Sequence, residues 1–106
     1  MAILVRLLKK PGSLVASSDS AQIRSGYVLL EPGKEVGEHE TGGGEELILV
    51  MEGTAEVSSG GKTETASAPS AVLVSAHSSH NVRNKTKVPL KYVYVYVMAM
   101  DGSKAT

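Results

Sequence analysis

Apolar and polar positions change over in short runs along this chain, and glycine or proline closes nearly every run. Residues 2–8 are apolar and partly β-branched, and Lys9, Lys10, Pro11 and Gly12 end them, which predicts a strand running into a turn. Residues 15–20 are small and polar without a period and predict a connection. β character returns at 23–30 and stops at Pro32 and Gly33. Further strands are predicted at 36–40, 46–51, 54–58, 62–67 and 71–74, with Gly42 to Gly44, Glu52-Gly53, Ser59 to Gly61 and Pro69-Ser70 between them. Another follows at 80–84 after a serine-rich loop, and the last and longest covers 90–100. Residues 101–106 are expected to fray. No helix of normal length is evident, so the expected fold class is all-β: a single antiparallel β-barrel, jelly-roll-like in its short strands and glycine-rich turns.

Two of these strands are apolar on both faces. Ile48 and Val50 alternate with Leu47, Leu49 and Met51, and Val93, Val95 and Val97 alternate with Tyr92, Tyr94 and Tyr96. A half-solvated strand needs only one apolar face, so something is expected to cover the outside. A second copy of the chain, forming a homodimer, is one candidate; a second sheet of the same chain is the other. The tyrosines suit core or interface packing first and a pocket wall second.

Composition narrows the partners. At 106 residues the chain is read as one domain, residues 1–106. Eleven basic residues balance eleven acidic ones, which leaves no global attraction to nucleic acid or to an anionic membrane. Cysteine is absent, which excludes disulfides, thiolate nucleophiles and thiolate metal sites, so any metal must take nitrogen and oxygen donors. The apolar start is too short for a signal peptide or a membrane span, and a cytoplasmic location is expected.

The most particular stretch is 33–53, GKEVGEHETGGGEELILVMEG. On a strand His39 and Thr41 would point one way and Glu38 and Glu40 the other. If the glutamates face water, the histidine faces in. A hairpin over Gly42 to Gly44 would bring the first residues of the next strand, from Glu45 or Glu46, beside His39; with Glu46 there, Glu45 would turn outward. The glycine triplet reads as a flexible hairpin loop, with a gate over the site as the lesser alternative. Arg83, one residue from Val82 and Asn84, should face away from His80 and lie on the surface. No serine occupies a nucleophile-elbow context, and no glycine pattern precedes a phosphate-binding helix.

The spacing itself is specific. Gly33, His39, Thr41, Glu46 and Gly53 form one ordered set, and His80 followed by Asn84 forms a second. Over residues 23–97 this resembles the two-motif pattern of the cupin superfamily, G-x5-H-x-H-x3-4-E-x6-G and a later H-x3-N. The resemblance implies a small β-barrel holding a divalent transition metal (Fe, Mn, Ni, Zn or Cu), with His39, Glu46 and His80 on ligand positions. Thr41 departs from the pattern where a second histidine stands, and the later motif has Pro69, Ser75 and His77 where glycine, proline and glycine are usual. Two histidines and one carboxylate are still a working donor set that leaves coordination positions open. His77 is a candidate replacement ligand or a solvated loop residue.

The expected function is therefore metal-dependent binding or transformation of a small molecule. The cupin fold hosts dioxygenases, isomerases, epimerases, lyases and non-catalytic binders, so the resemblance selects no reaction. The alternatives are a barrel that binds a sugar or organic acid without chemistry and a structural dimer with a vestigial pocket. The lack of a DNA-binding segment speaks against a one-chain regulator.

Overall fold

The computed structural model describes residues 3–99. Nine strands form among the described residues: β1 Gly12–Val15, β2 Ile23–Leu30, β3 His39–Glu40, β4 Glu45–Glu52, β5 Thr54–Ser59, β6 Lys62–Ser67, β7 Ser70–Val74, β8 Ser79–Arg83 and β9 Leu90–Val97. They make two antiparallel sheets, one in the order β1-β2-β9-β4-β7 and one in the order β3-β8-β5-β6. This is a double-stranded β-helix. The all-β expectation holds, although neither sheet closes into a barrel. Among the described residues no helix is long and apolar enough to cross a membrane.

The core forms where the inner faces of the sheets meet. Ile48 and Val50 of β4, Leu90 and Tyr92 of β9 and Leu30 of β2 pack with Ala55, Val57 and Val82 from the smaller sheet. Alternation on β4 decides which side is which: Glu46, Ile48 and Val50 are buried, while Leu47, Leu49 and Met51 are exposed. On β9 all three tyrosines are on the inner face, in register with Glu46, Ile48 and Val50. Tyr94 lies over Gly26 of β2, where a Cβ would come within 2.6 Å of its ring. The absence of a side chain at Gly26 lets the ring come close against the backbone.

On the outer face of the larger sheet, apolar side chains of β4 and β7 are exposed. Leu47 is opposite both Leu73 and Val95, and Leu49 is opposite Val93, so the apolar positions join into one patch. Leu47 and Leu49 are each 37% exposed and Leu73 is 63% exposed. The second sheet covers the other side of β4 and β9, and no second sheet covers this patch among the described residues.

Three expected strands differ. Residues 3–8 are not strand, and Ile3, Val5 and Leu7 are exposed because no neighbouring strand offers a face to them; Ala2 lies outside the described residues. The edge strand is β1 instead, paired to β2 through Gly12↔Tyr27 and Ser13↔Gly26. The strand expected at 36–40 shrinks to the two residues of β3, because Gly37 at φ 108° turns the chain out of an extended path. The last strand ends at Val97; Met100 and the tail at 101–106 lie outside the described residues.

Candidate metal centre

His39 and His80 meet because β3 lies antiparallel to β8 with these two residues directly opposite. Their ring centroids are 4.0 Å apart. Glu46 approaches from the other sheet, at the start of β4, and its Oε1 lies 3.7 Å from Nε2 of His80. Donor atoms of the three residues all fall within 4.8 Å of one another. The pairing expected between His39 and Glu46 across a hairpin is therefore replaced. The turn after β3 carries the chain from one sheet into the other, and the two residues face each other across the sandwich.

The environment of His80 is the informative one. It is fully buried, and neither ring nitrogen has a hydrogen-bond partner among the described residues. Buried polar atoms are normally paired, and 3.7 Å to Glu46 is too long for a hydrogen bond. A divalent ion bonded at about 2.0–2.2 Å to imidazole nitrogen and carboxylate oxygen satisfies such an atom. His39 is prepared for the same role. Its Nδ1 lies 2.9 Å from the carbonyl of Gly37. A carbonyl can only accept, so Nδ1 carries the proton and Nε2 keeps its lone pair, an arrangement common for metal-bound histidine. The residues present fit a divalent metal with nitrogen and oxygen donors.

Glu35 and Asn81 hold the strand segment that presents His39. Asn81 accepts from the Gly37 N–H at 2.8 Å and donates to Glu35 at 2.7 Å, and Arg83 donates to the same Glu35 oxygen at 2.9 Å. These hydrogen bonds, from Asn81 first and Arg83 second, lower the Glu35 carboxyl below its ordinary pKa. Arg83 also sits 3.6 Å from Glu56, so it is a surface residue as expected. Asn81 is the participant that the sequence did not single out; its only signal was adjacency to His80.

Thr41 does not share His39's direction. Its hydroxyl donates to the Ser75 carbonyl at 2.8 Å and accepts from the Ser78 N–H at 3.0 Å. Its backbone N–H donates to Ser78 and its carbonyl accepts from the Tyr96 hydroxyl. Where the cupin pattern has a histidine, this chain has a tie between the end of β3, the loop before β8 and β9. His77, in that loop, is exposed, adopts φ 57° and is not among the converging donors. Glu45 is exposed and turned outward.

The triad opens into a cavity of about 700 Å³. His39 and Glu46 border it, with Tyr92, Tyr94 and Tyr96 along one wall. Burial, the Glu46 carboxylate and Tyr94, in that order, push the Tyr92 phenol above its ordinary pKa, so it stays protonated. Arg24, Glu38 and Glu40 also line the cavity, and both glutamates, like His39, are exposed. Glu38 accepts from the Ser79 hydroxyl and Glu40 from the Gly42 N–H, and these bonds draw both carboxylates along the rim.

The cupin domain family profile matches residues 26–96, and the chain belongs to the cupin family. Among solved structures it is similar to a Thermotoga maritima protein described as a predicted oxalate decarboxylase (TM-score 0.79, 19% identity, covering 91% of this chain and 99% of that one). It is also similar to a cupin 2 conserved barrel domain protein from Salinispora arenicola (0.75, 23%, 91% and 89%). A third is the cupin domain of an XRE family transcriptional regulator from Enterobacter cloacae (0.72, 19%, 82% and 93%). At these identities the likeness concerns the fold. No curated protein matches the chain by sequence.

Proposed function

We propose that this cupin binds a divalent transition metal through His39, Glu46 and His80 and uses the adjoining cavity to bind, and act on, a small molecule. The observation that carries the reading is His80, sealed from solvent with both nitrogens unpaired beside a carboxylate and a second imidazole. A bound ion supplies Lewis acidity toward a substrate oxygen or activation of water. The chain's own residues position and enclose. Gly37 fixes the tautomer of His39, Tyr96 and Thr41 brace the strands on either side, and the tyrosine wall excludes water from one flank. The reading as a binder without chemistry remains the alternative; the cationic and acidic groups that line the cavity serve recognition as readily as catalysis.

Elemental analysis of the purified protein tests the metal. Near-stoichiometric transition metal is expected in the wild type, and none in the His39→Ala, His80→Ala double variant. A wild type that arrives metal-free and takes up none of Fe, Mn, Ni, Zn or Cu would sink the proposal.

We also propose that a second copy of the chain covers the patch formed by Leu47, Leu49, Leu73, Val93 and Val95. The patch is contiguous and carries no charge at its centre, which favours a self-complementary apolar contact. Light scattering after size exclusion is expected to give the mass of two chains for the wild type and of one for Leu49→Lys, Leu73→Lys. A wild type that runs as one chain at 100 µM, a concentration on the order of a hundred times a micromolar Kd, would refute the dimer.

A further inference from the structure

The chain's arginines are Arg6, Arg24 and Arg83. Arg6 is paired with Asp19, and Arg83 with Glu35 and Glu56. Arg24 has no carboxylate partner among the described residues, yet it lines the cavity beside the triad. It is not a loose surface side chain. Nη1 donates to the carbonyls of Ser20 at 2.9 Å and Ile23 at 3.0 Å, which orients the guanidinium. Both bonds use Nη1, so the Nε and Nη2 edge, the one that grips a carboxylate with two parallel hydrogen bonds, has no partner among the described residues.

Strand register sets the distance from this cation to the triad. Arg24 of β2 and Glu46 of β4 are both opposite Tyr96 of β9. The three lie in one row across the inner face, and two strand spacings put the Cα atoms of Arg24 and Glu46 about 10 Å apart. Between them is Tyr96, held through its hydroxyl by Thr41 and Gly44, and in the next row Tyr94 lies on Gly26, which continues the wall. Such a wall favours a flat, unsaturated body over a puckered, hydroxyl-rich one. Glu38 and Glu40 on the same cavity disfavour a polyanion, which leaves one negative group as the best match.

We propose that Arg24 is the carboxylate anchor of this cavity and that its ligand is a flat monocarboxylate of aryl size, lying along the tyrosine wall with its far end toward His39, Glu46 and His80. This rests on the reading of the cavity as a small-molecule site and names the class of molecule. It does not depend on the metal for its first contact.

Calorimetric titration with 4-hydroxybenzoate and its neutral isostere 4-hydroxybenzamide tests it, on metal-free and zinc-loaded protein. The acid is expected to bind at least roughly tenfold more tightly than the amide, the scale of a charge-assisted bidentate contact. Arg24→Gln should reduce the acid to the level of the amide, and Arg24→Lys should retain part of the difference. Zinc uptake by Arg24→Gln, read by elemental analysis, should equal that of the wild type. Equal binding of acid and amide by the wild type, acid affinity unchanged in Arg24→Gln, or no binding of either probe at millimolar concentration would each overturn the assignment. The acid and amide comparison uses wild type alone, so it decides the matter even if a variant fails to fold. Failure of the metal reading looks different: no zinc is taken up, while the Arg24-dependent preference for the acid persists in metal-free protein.

Discussion

Metal-free protein given saturating zinc or manganese is expected to melt about 10 °C or more above the untreated sample, and His80→Leu is expected to lose that response. An ion at a hundred times its Kd stabilises the folded state by about 2.7 kcal/mol. In a domain of this size each kcal/mol moves the midpoint by roughly 4–8 °C. The His80→Leu variant has a second, opposite consequence. A buried polar group without a partner costs about 1–3 kcal/mol, and the wild-type imidazole presents two such atoms when no ion is bound. A leucine of similar volume removes that penalty. The metal-free variant should therefore melt no lower than the metal-free wild type, although it has lost a residue at the centre of the site. Scanning calorimetry of the two proteins with and without metal measures all four midpoints. A variant that still gains 10 °C with metal would remove His80 from the ligand set; a variant that melts well below the metal-free wild type would make it a packing residue.

Asn84→Leu is expected to be the most damaging single change away from the site, at about 3–5 kcal/mol. Asn84 is fully buried, and its side chain is saturated. Nδ2 donates to the carbonyls of Leu30 at 2.9 Å and Val88 at 2.8 Å, and Oδ1 accepts from the Thr86 N–H at 3.0 Å and the Thr86 hydroxyl at 2.7 Å. Its backbone is bonded to Lys34 and Gly33. One side chain thus joins the end of β2 to the connection between β8 and β9. Leucine would remove four hydrogen bonds and leave the buried Leu30 carbonyl without this partner, a loss of about 1 kcal/mol per bond plus the desolvation of what remains. Urea denaturation measures it. A difference under about 1 kcal/mol would show that water replaces the amide. Metal stoichiometry in whatever fraction stays folded should be unchanged, because Asn84 is a brace and supplies no ligand.

Much of this was legible in the chain. Ile23–Leu30 and Lys62–Ser67 form with the expected limits because turn residues flank them closely. The inward and outward sets on β4 follow directly from alternation. His39, Glu46 and His80, the positions on which the resemblance places ligands, lie close together. The misreadings share one cause, which is that local pattern does not report long-range pairing. Residues 3–8 have the composition of a strand and no strand to pair with. β3 and β4 look like a hairpin in sequence, but they belong to different sheets. Arg24 was invisible as a site residue, since its face is defined only once β2 is in register with β9. Thr41 looked like a lost ligand because only the fold reveals the loop that its hydroxyl holds.

That last residue has a dynamic consequence. Thr41 bonds the end of β3 to the loop that leads into β8, and its carbonyl bonds β9. The segments carrying His39 and His80 are thereby fastened at one end to the same point. Hydrogen-bonded segments of this kind open as a cooperative unit and not residue by residue. A fluctuation that separates one histidine from the centre is expected to free the other, so an ion held there would be lost in a single local unfolding event. The threonine that stands where the family pattern has a histidine leaves fewer donors for an ion, and it would make those that remain arrive and depart together.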